Sequence, residues 1–145
     1  MSIVIDANLA ATIALPLNYA SETSRLMRAW KDRGEYLLAP ALLEYEITST
    51  LRQAIVIGMI DEAEAVEALQ DVLASGIILV PPTIELDREA LVWARRIGQS
   101  KAYDAQYLAL AAQENAPLWT ADRRLARNAR GAGLAWVHWV GGEPA

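Results

Sequence analysis

Five short runs of apolar residues recur along the chain, separated by longer stretches of helical periodicity. Ile3-Val4-Ile5 is β-branched and stops at Asp6, which predicts a short buried strand. Tyr36 to Ala39, Ile77 to Val80, Leu118 to Thr120 and Ala135 to Val140 read as four more strands. Between them, Ala-rich sequence runs to Leu15 and Pro16 ends it. Ser21 to Arg33 predicts a helix capped by Ser21, with Leu26, Met27 and Trp30 on its apolar face and Gly34 closing it. Pro40 to about Ile57 is helical up to Gly58, and Asp61 caps a further helix through Leu73 with acids in its first turn. Helices from about Glu85 to Ile97, Asp104 to Glu114 and Asp122 to Arg130 complete the reading, about seven in all.

Strands this short and apolar, alternating with helices, predict an α/β fold: a three-layer α/β/α sandwich around a short-stranded parallel central sheet. Residues 1–140 are expected to form a single domain and 141–145, opening on Gly141-Gly142, a tail. No repeat, linker or low-complexity stretch interrupts it. Ligands of parallel sheets gather beyond the carboxyl ends of the strands. Asp6 and Asp122 each follow a strand at that end, so right-handed crossovers place both on one edge.

Composition narrows the chemistry. With 145 residues, 54% of them apolar, the chain can bury a core without staples. It has no cysteine and one histidine, His138, which excludes disulfides and thiolate sites and leaves little for a His-rich zinc site or a Ser-His-Asp triad. No apolar run reaches the ~18 residues of a membrane span, and the start lacks a basic, apolar leader, so a cytoplasmic protein is expected. A formal charge of −5 disfavours passive, charge-driven binding to nucleic acid. It leaves open a metal-dependent nuclease, whose ion-holding acids add to that negative sum.

The acids decide the matter. Asp6, Asp104 and Asp122 each stand at a helix start and have a purely structural use as caps. Asp104, however, opens a helix that is apolar nearly all round (Ala105, Tyr107, Leu108, Ala109, Leu110) and is therefore desolvated in part. Glu44 and Glu46 flank the Leu43, Ile47, Leu51 and Ala54 stripe on opposite sides, and periodicity does not choose between them. Carboxylates within about 5 Å repel by roughly 3 kcal/mol per pair at an effective dielectric near 20. Such a cluster takes up a proton or a cation. Oxygen donors without sulfur point to Mg²⁺ or Mn²⁺, ions that serve phosphodiester chemistry.

"IVIDAN", "LLEYEITSTLRQA", "AYDAQYLALAAQ" and "LWTADRRLARNA", in that order and covering about Ile3 to Val140, resemble the PIN-domain nucleases and, within them, the VapC-type toxins of toxin–antitoxin pairs. The resemblance implies a metal-dependent endoribonuclease whose Asp6, Glu46, Asp104 and Asp122 are the catalytic and metal-binding acids. It prefers Glu46 over Glu44, because Ile47 and Leu51 follow Glu46 as the family pattern asks. It places Asn8 and Thr120 as small polar residues lining the site, and Ser49 where relatives often have asparagine. An RNA substrate, a small antitoxin partner and a homodimer are implied by the likeness alone.

Other features are open to two uses. Arg123, Arg127 and Arg130 form one helical stripe beside Asp122, suited to a phosphate backbone or to an ordinary exposed face. Tyr103 and Tyr107 are read as core rather than as stacking platforms, and the five tryptophans as packing or interface residues. "AIVIGMI", Ala54 to Ile60, is core or an association surface. Three rival functions remain. A receiver-like phosphoacceptor would need paired acids after the first strand and a well-placed lysine, and has neither. A PIN module without catalysis would not need all four acids. A PIN nuclease for RNA maturation or DNA is the third; the compact length favours the toxin type.

Overall fold

The computed structural model describes residues 1–142. β1 (Ser2–Ile5), β2 (Tyr36–Pro40), β3 (Ile77–Val80), β4 (Leu118–Thr120) and β5 (Val137–Trp139) form one sheet in the order β3-β2-β1-β4-β5, every pairing parallel. Seven helices lie among the described residues: α1 (Ala7–Ala14), α2 (Ala20–Asp32), α3 (Leu42–Val56), α4 (Glu62–Leu73), α5 (Ile84–Arg96), α6 (Tyr103–Gln113) and α7 (Arg123–Gly131). α1 packs on α2, α3 and α4, whereas α5 packs on α6 and α6 lies against β1 and β2. The predicted α/β class and parallel sheet are both present.

β1 explains why the sheet is covered on both faces. Successive strand residues point to opposite sides, yet Ile3, Val4 and Ile5 are all buried. Its neighbours β2 and β4 are the central pair, while β3 and β5 form the edges, and Ile78 of β3 is half exposed. The order reverses at β1: the chain moves outward to β2 and β3, then returns to the other side of β1 for β4. That reversal opens a crevice at the carboxyl ends of β1 and β4. Asp6 follows β1 directly, and Asp122 stands two residues beyond β4.

Helix boundaries follow local chemistry with three corrections. Asp61 caps α4 in a reciprocal capping box with Glu64, whose carboxylate accepts from the Asp61 N–H. Ser21 does not cap α2: that helix starts one residue earlier, after Tyr19 in a left-handed conformation and without a side-chain cap. Asp104 is not a cap either. It lies within the first turn of α6, whose N-cap is Ala102, and is free to face outward. The last strand is shorter than its apolar run, since only Val137 to Trp139 pair with β4. Gly141 is required by packing, because the indole of Trp139 fills the space where a Cβ would stand. Among the described residues, no helix is long and apolar enough to cross a membrane.

Candidate active site

Asp6 is 3% exposed, a carboxyl at the end of a strand with no exposed face. Its Oδ1 accepts from the Leu9 N–H at 2.9 Å, so it is a true N-cap of α1. Its Oδ2 accepts from the Thr120 hydroxyl, and the same hydroxyl oxygen accepts from the Asp122 N–H at 2.9 Å. Thr120, fully buried on β4, therefore ties the first acid to the fourth across the switch point. Asp122 in turn caps α7, accepting from the Arg124 N–H at 2.9 Å and the Leu125 N–H at 3.3 Å. The cap and the site are the same groups, so the two uses are not rivals.

The Asp6 carboxyl is raised to about 7, chiefly because burial disfavours its charge. Its Thr120 and Leu9 hydrogen bonds pull the other way, and the charges of Asp122 and Asp104 push it up further. Glu46 is raised as well, by burial first and by Asp104 also, against the lowering effect of Tyr107. Thus Asp6 feels both Asp122 and Asp104, and Asp104 reaches Glu46. The four predicted acids occupy one electrostatic neighbourhood at the carboxyl edge.

Beside them opens a cleft of about 520 Å³, lined by Glu46, Gly98, Gln99, Ser100, Lys101, Tyr103, Asp104, Arg124 and Asn128. Glu46 and Asp104 face it together. Gln99 donates to Asp104 Oδ2 at 2.9 Å, and the Tyr107 hydroxyl donates to Glu46 Oε1 at 2.5 Å. Among the described residues, no three His, Cys, Asp or Glu side chains stand close enough to grip one metal ion as a set. Asp6 and Asp122 are joined through Thr120, and Glu46 and Asp104 line the same cleft, so the acids fall in two pairs.

Other sequence candidates fall into place unevenly. Asn8 and Ser49 are exposed. Glu44 does not line the cleft. Arg123, Arg127 and Arg130 do share a face, around a small hollow closed by Ala126 and Trp139, with Arg123 stacked 5.2 Å over the Trp139 ring. The arginine facing the acids is Arg124, with Asn128 one turn on, a pair the stripe argument passed over. His138 stacks on Trp119 at 5.0 Å, its basicity lowered by burial and by Arg130, and lines no part of the cleft. Tyr107 is core as expected. Tyr103 is not: it is 58% exposed, at the first residue of α6 and on the rim of the cleft.

The chain resembles known proteins throughout its length. A Pyrobaculum aerophilum protein, PAE2754, superposes with a TM-score of 0.67 at 24% identity, over 97% of this chain and 93% of its own. VapC20 of Mycobacterium tuberculosis, described as a sarcin–ricin-loop-cleaving toxin, has a TM-score of 0.65 at 16% identity, over 86% and 93%. VapBC2 of Rickettsia felis, solved with a DNA fragment from its promoter, has a TM-score of 0.64 at 11% identity, over 96% and 97%. At such identities the likeness is one of fold. None of the curated proteins matches the sequence. The PIN domain family matches residues 3–131, a span that holds all four acids and all seven helices in full, and the chain belongs to that family.

Proposed function

We propose that this chain is a Mg²⁺- or Mn²⁺-dependent endoribonuclease of the VapC type, the toxin of a type II toxin–antitoxin pair. The observation that carries the reading is the Asp6–Thr120–Asp122 link at the topological switch point, beside a cleft presenting Glu46 and Asp104. Family membership supports nuclease chemistry. The neighbours VapC20 and VapBC2 support the toxin assignment, an RNA substrate and a small antitoxin partner. A homodimer in the cytoplasm goes with the same reading.

The donor set fits a hard divalent ion. All four candidates, Asp6, Glu46, Asp104 and Asp122, are carboxylates, and the nearest imidazole, His138, is engaged elsewhere. Mg²⁺ is commonly held by one or two carboxylates and several waters, which matches acids arranged as pairs. Burial raises the Asp6 and Glu46 carboxyls first and neighbouring carboxylates add to it, and a cation beside them would favour the ionised form of both. When bound, such an ion supplies a water of lowered pKa and positive charge facing the phosphate.

The chain's own residues do the rest. Thr120 and the Leu9 N–H hold Asp6 in one orientation, and Gln99 does the same for Asp104. Lys101 and Arg124 bring cationic side chains to the cleft that Glu46 and Asp104 line, where they grip phosphate oxygens. Arg123 and Arg127, on the neighbouring face of α7 around a separate hollow, offer further contacts to an RNA backbone that runs past the cleft. The test is cleavage of RNA by purified protein in Mg²⁺ or Mn²⁺, and growth arrest on expression. Asp6→Asn and Asp104→Asn abolish both while the fold persists. Near-wild-type cleavage by either variant would overturn the assignment.

A further inference from the structure

Tyr107 departs from the pattern of its helix. α6 is an apolar core helix, and Tyr107 is 1% exposed, packed with Ala105, Leu108, Leu110 and Ala111 in the same buried segment. A tyrosine in such a place must satisfy its hydroxyl. It does so on Glu46 Oε1 at 2.5 Å, across 61 residues of sequence, at the short end for a hydroxyl bonded to an ionised carboxylate. The ring is immobilised by the core, so the oxygen at its tip is a fixed point, whereas Glu46, half-buried on α3, has three rotatable bonds of its own.

We propose that Tyr107 is a positioning residue, whose phenol holds one oxygen of Glu46 and leaves the other for the cation in the cleft. The inference rests on the metal-dependent reading above. A core residue is suited to this work, because the hydroxyl cannot swing away without opening the interior. The phenol stays a donor under all working conditions: burial, Glu46, Asp6 and Asp104 all oppose its ionisation. The same contact favours the ionised form of Glu46, against the opposing effects of burial and Asp104. Partners that orient a ligand without touching the metal typically change metal affinity by about 10- to 100-fold.

The experiment is Mn²⁺ binding by electron paramagnetic resonance or calorimetry on the full chain, without substrate. The set is wild type, Tyr107→Phe, Glu46→Gln and the double variant, with thermal unfolding recorded for each. Tyr107→Phe keeps the ring and is expected to weaken Mn²⁺ binding about tenfold, with the cleavage rate recovering at saturating Mn²⁺. In the Glu46→Gln background the same change adds nothing further, because the phenol acts only through that carboxylate. Unchanged affinity in Tyr107→Phe while Glu46→Gln loses binding overturns the role of Tyr107 and leaves the metal site standing. Equal further losses in the double variant overturn it too, since they mark a general packing effect. Wild type that binds no Mn²⁺ overturns the metal-dependent reading and this inference with it.

Discussion

Asp6→Asn should stabilise the metal-free protein at alkaline pH and not at acid pH. Asp6 rises from 3.8 unfolded to about 7 folded, so between those values the folded state holds a proton that the unfolded state has lost. The unfolded state binds fewer protons there, and stability falls as pH rises through the window. By pH 8 the accumulated penalty is about 4 kcal/mol at 1.36 kcal/mol per tenfold step in acidity. Asparagine removes the charge and keeps an acceptor for the Leu9 N–H, but it leaves the Thr120 hydroxyl without its carboxylate, at a cost of about 1–2 kcal/mol. The net expectation is a gain of about 2–3 kcal/mol at pH 8, or roughly 4–12 °C in Tm for a domain of this size. At pH 5, where wild-type Asp6 is already neutral, the variant gains nothing and loses the hydrogen bond. The assay is thermal or urea unfolding in chelator at both values. Excess Mg²⁺ should narrow the gap at pH 8, by binding the folded wild type. A variant equally destabilised at both pH values would refute the argument, since Asp6 would then be an ordinary cap.

Other outcomes follow from the same geometry. Thr120→Val removes the hydroxyl shared by Asp6 and the Asp122 N–H; a loss of about 1–3 kcal/mol in urea unfolding is expected, together with weaker metal binding. Arg124→Ala, at the acid cleft, should lower RNA affinity and reduce the salt slope of binding by about one, whereas an unchanged slope would remove Arg124 from the substrate path. Gly141→Ala must displace the Trp139 indole and should lower Tm measurably; an unaltered melt would show that the ring gives way freely. Asp61→Ala breaks the α4 capping box and should cost about 1 kcal/mol without touching catalysis, so lost activity there would point to a long-range role for α4.

Much of this fold is legible in a linear reading because its strands are short, apolar and parallel. Ile3-Val4-Ile5 carries the pattern of a strand buried on both faces, Ile77 to Val80 is apolar enough to read as a strand although it lies at the edge, and Asp61 and Gly58 mark helix ends by local chemistry alone. Asp6 and Asp122 are readable for the same reason, as polar interruptions directly after such runs. What escaped is what depends on rotation about an axis. Tyr103 and Tyr107 stand one turn apart on α6, yet the first is largely exposed and the second buried, a difference of position along the helix that periodicity does not report. The Arg123, Arg127 and Arg130 stripe is a correct face, yet which face of α7 meets the acids is set by how Leu125, Ala126 and Ala129 dock, and that turns Arg124 and Asn128 inward. Gln99 escaped because it sits in a loop, where no periodicity reports what a side chain reaches. "AIVIGMI" divides between the two uses: Ala54 is buried and Ile55 and Ile60 pack against the core, whereas Val56, Ile57 and Met59 are exposed at and just beyond the end of α3.

The central claim is that Asp6, Glu46, Asp104 and Asp122 form the metal-binding edge of the sheet, an ion being held there by a pair of these carboxylates and by water. The most direct measurement is an anomalous difference map from crystals soaked in Mn²⁺. The account predicts a peak within coordination distance of at least two of these carboxylates, lost in Asp104→Asn. Density for Mn²⁺ only elsewhere on the protein, or a peak that survives that substitution unchanged, would contradict it.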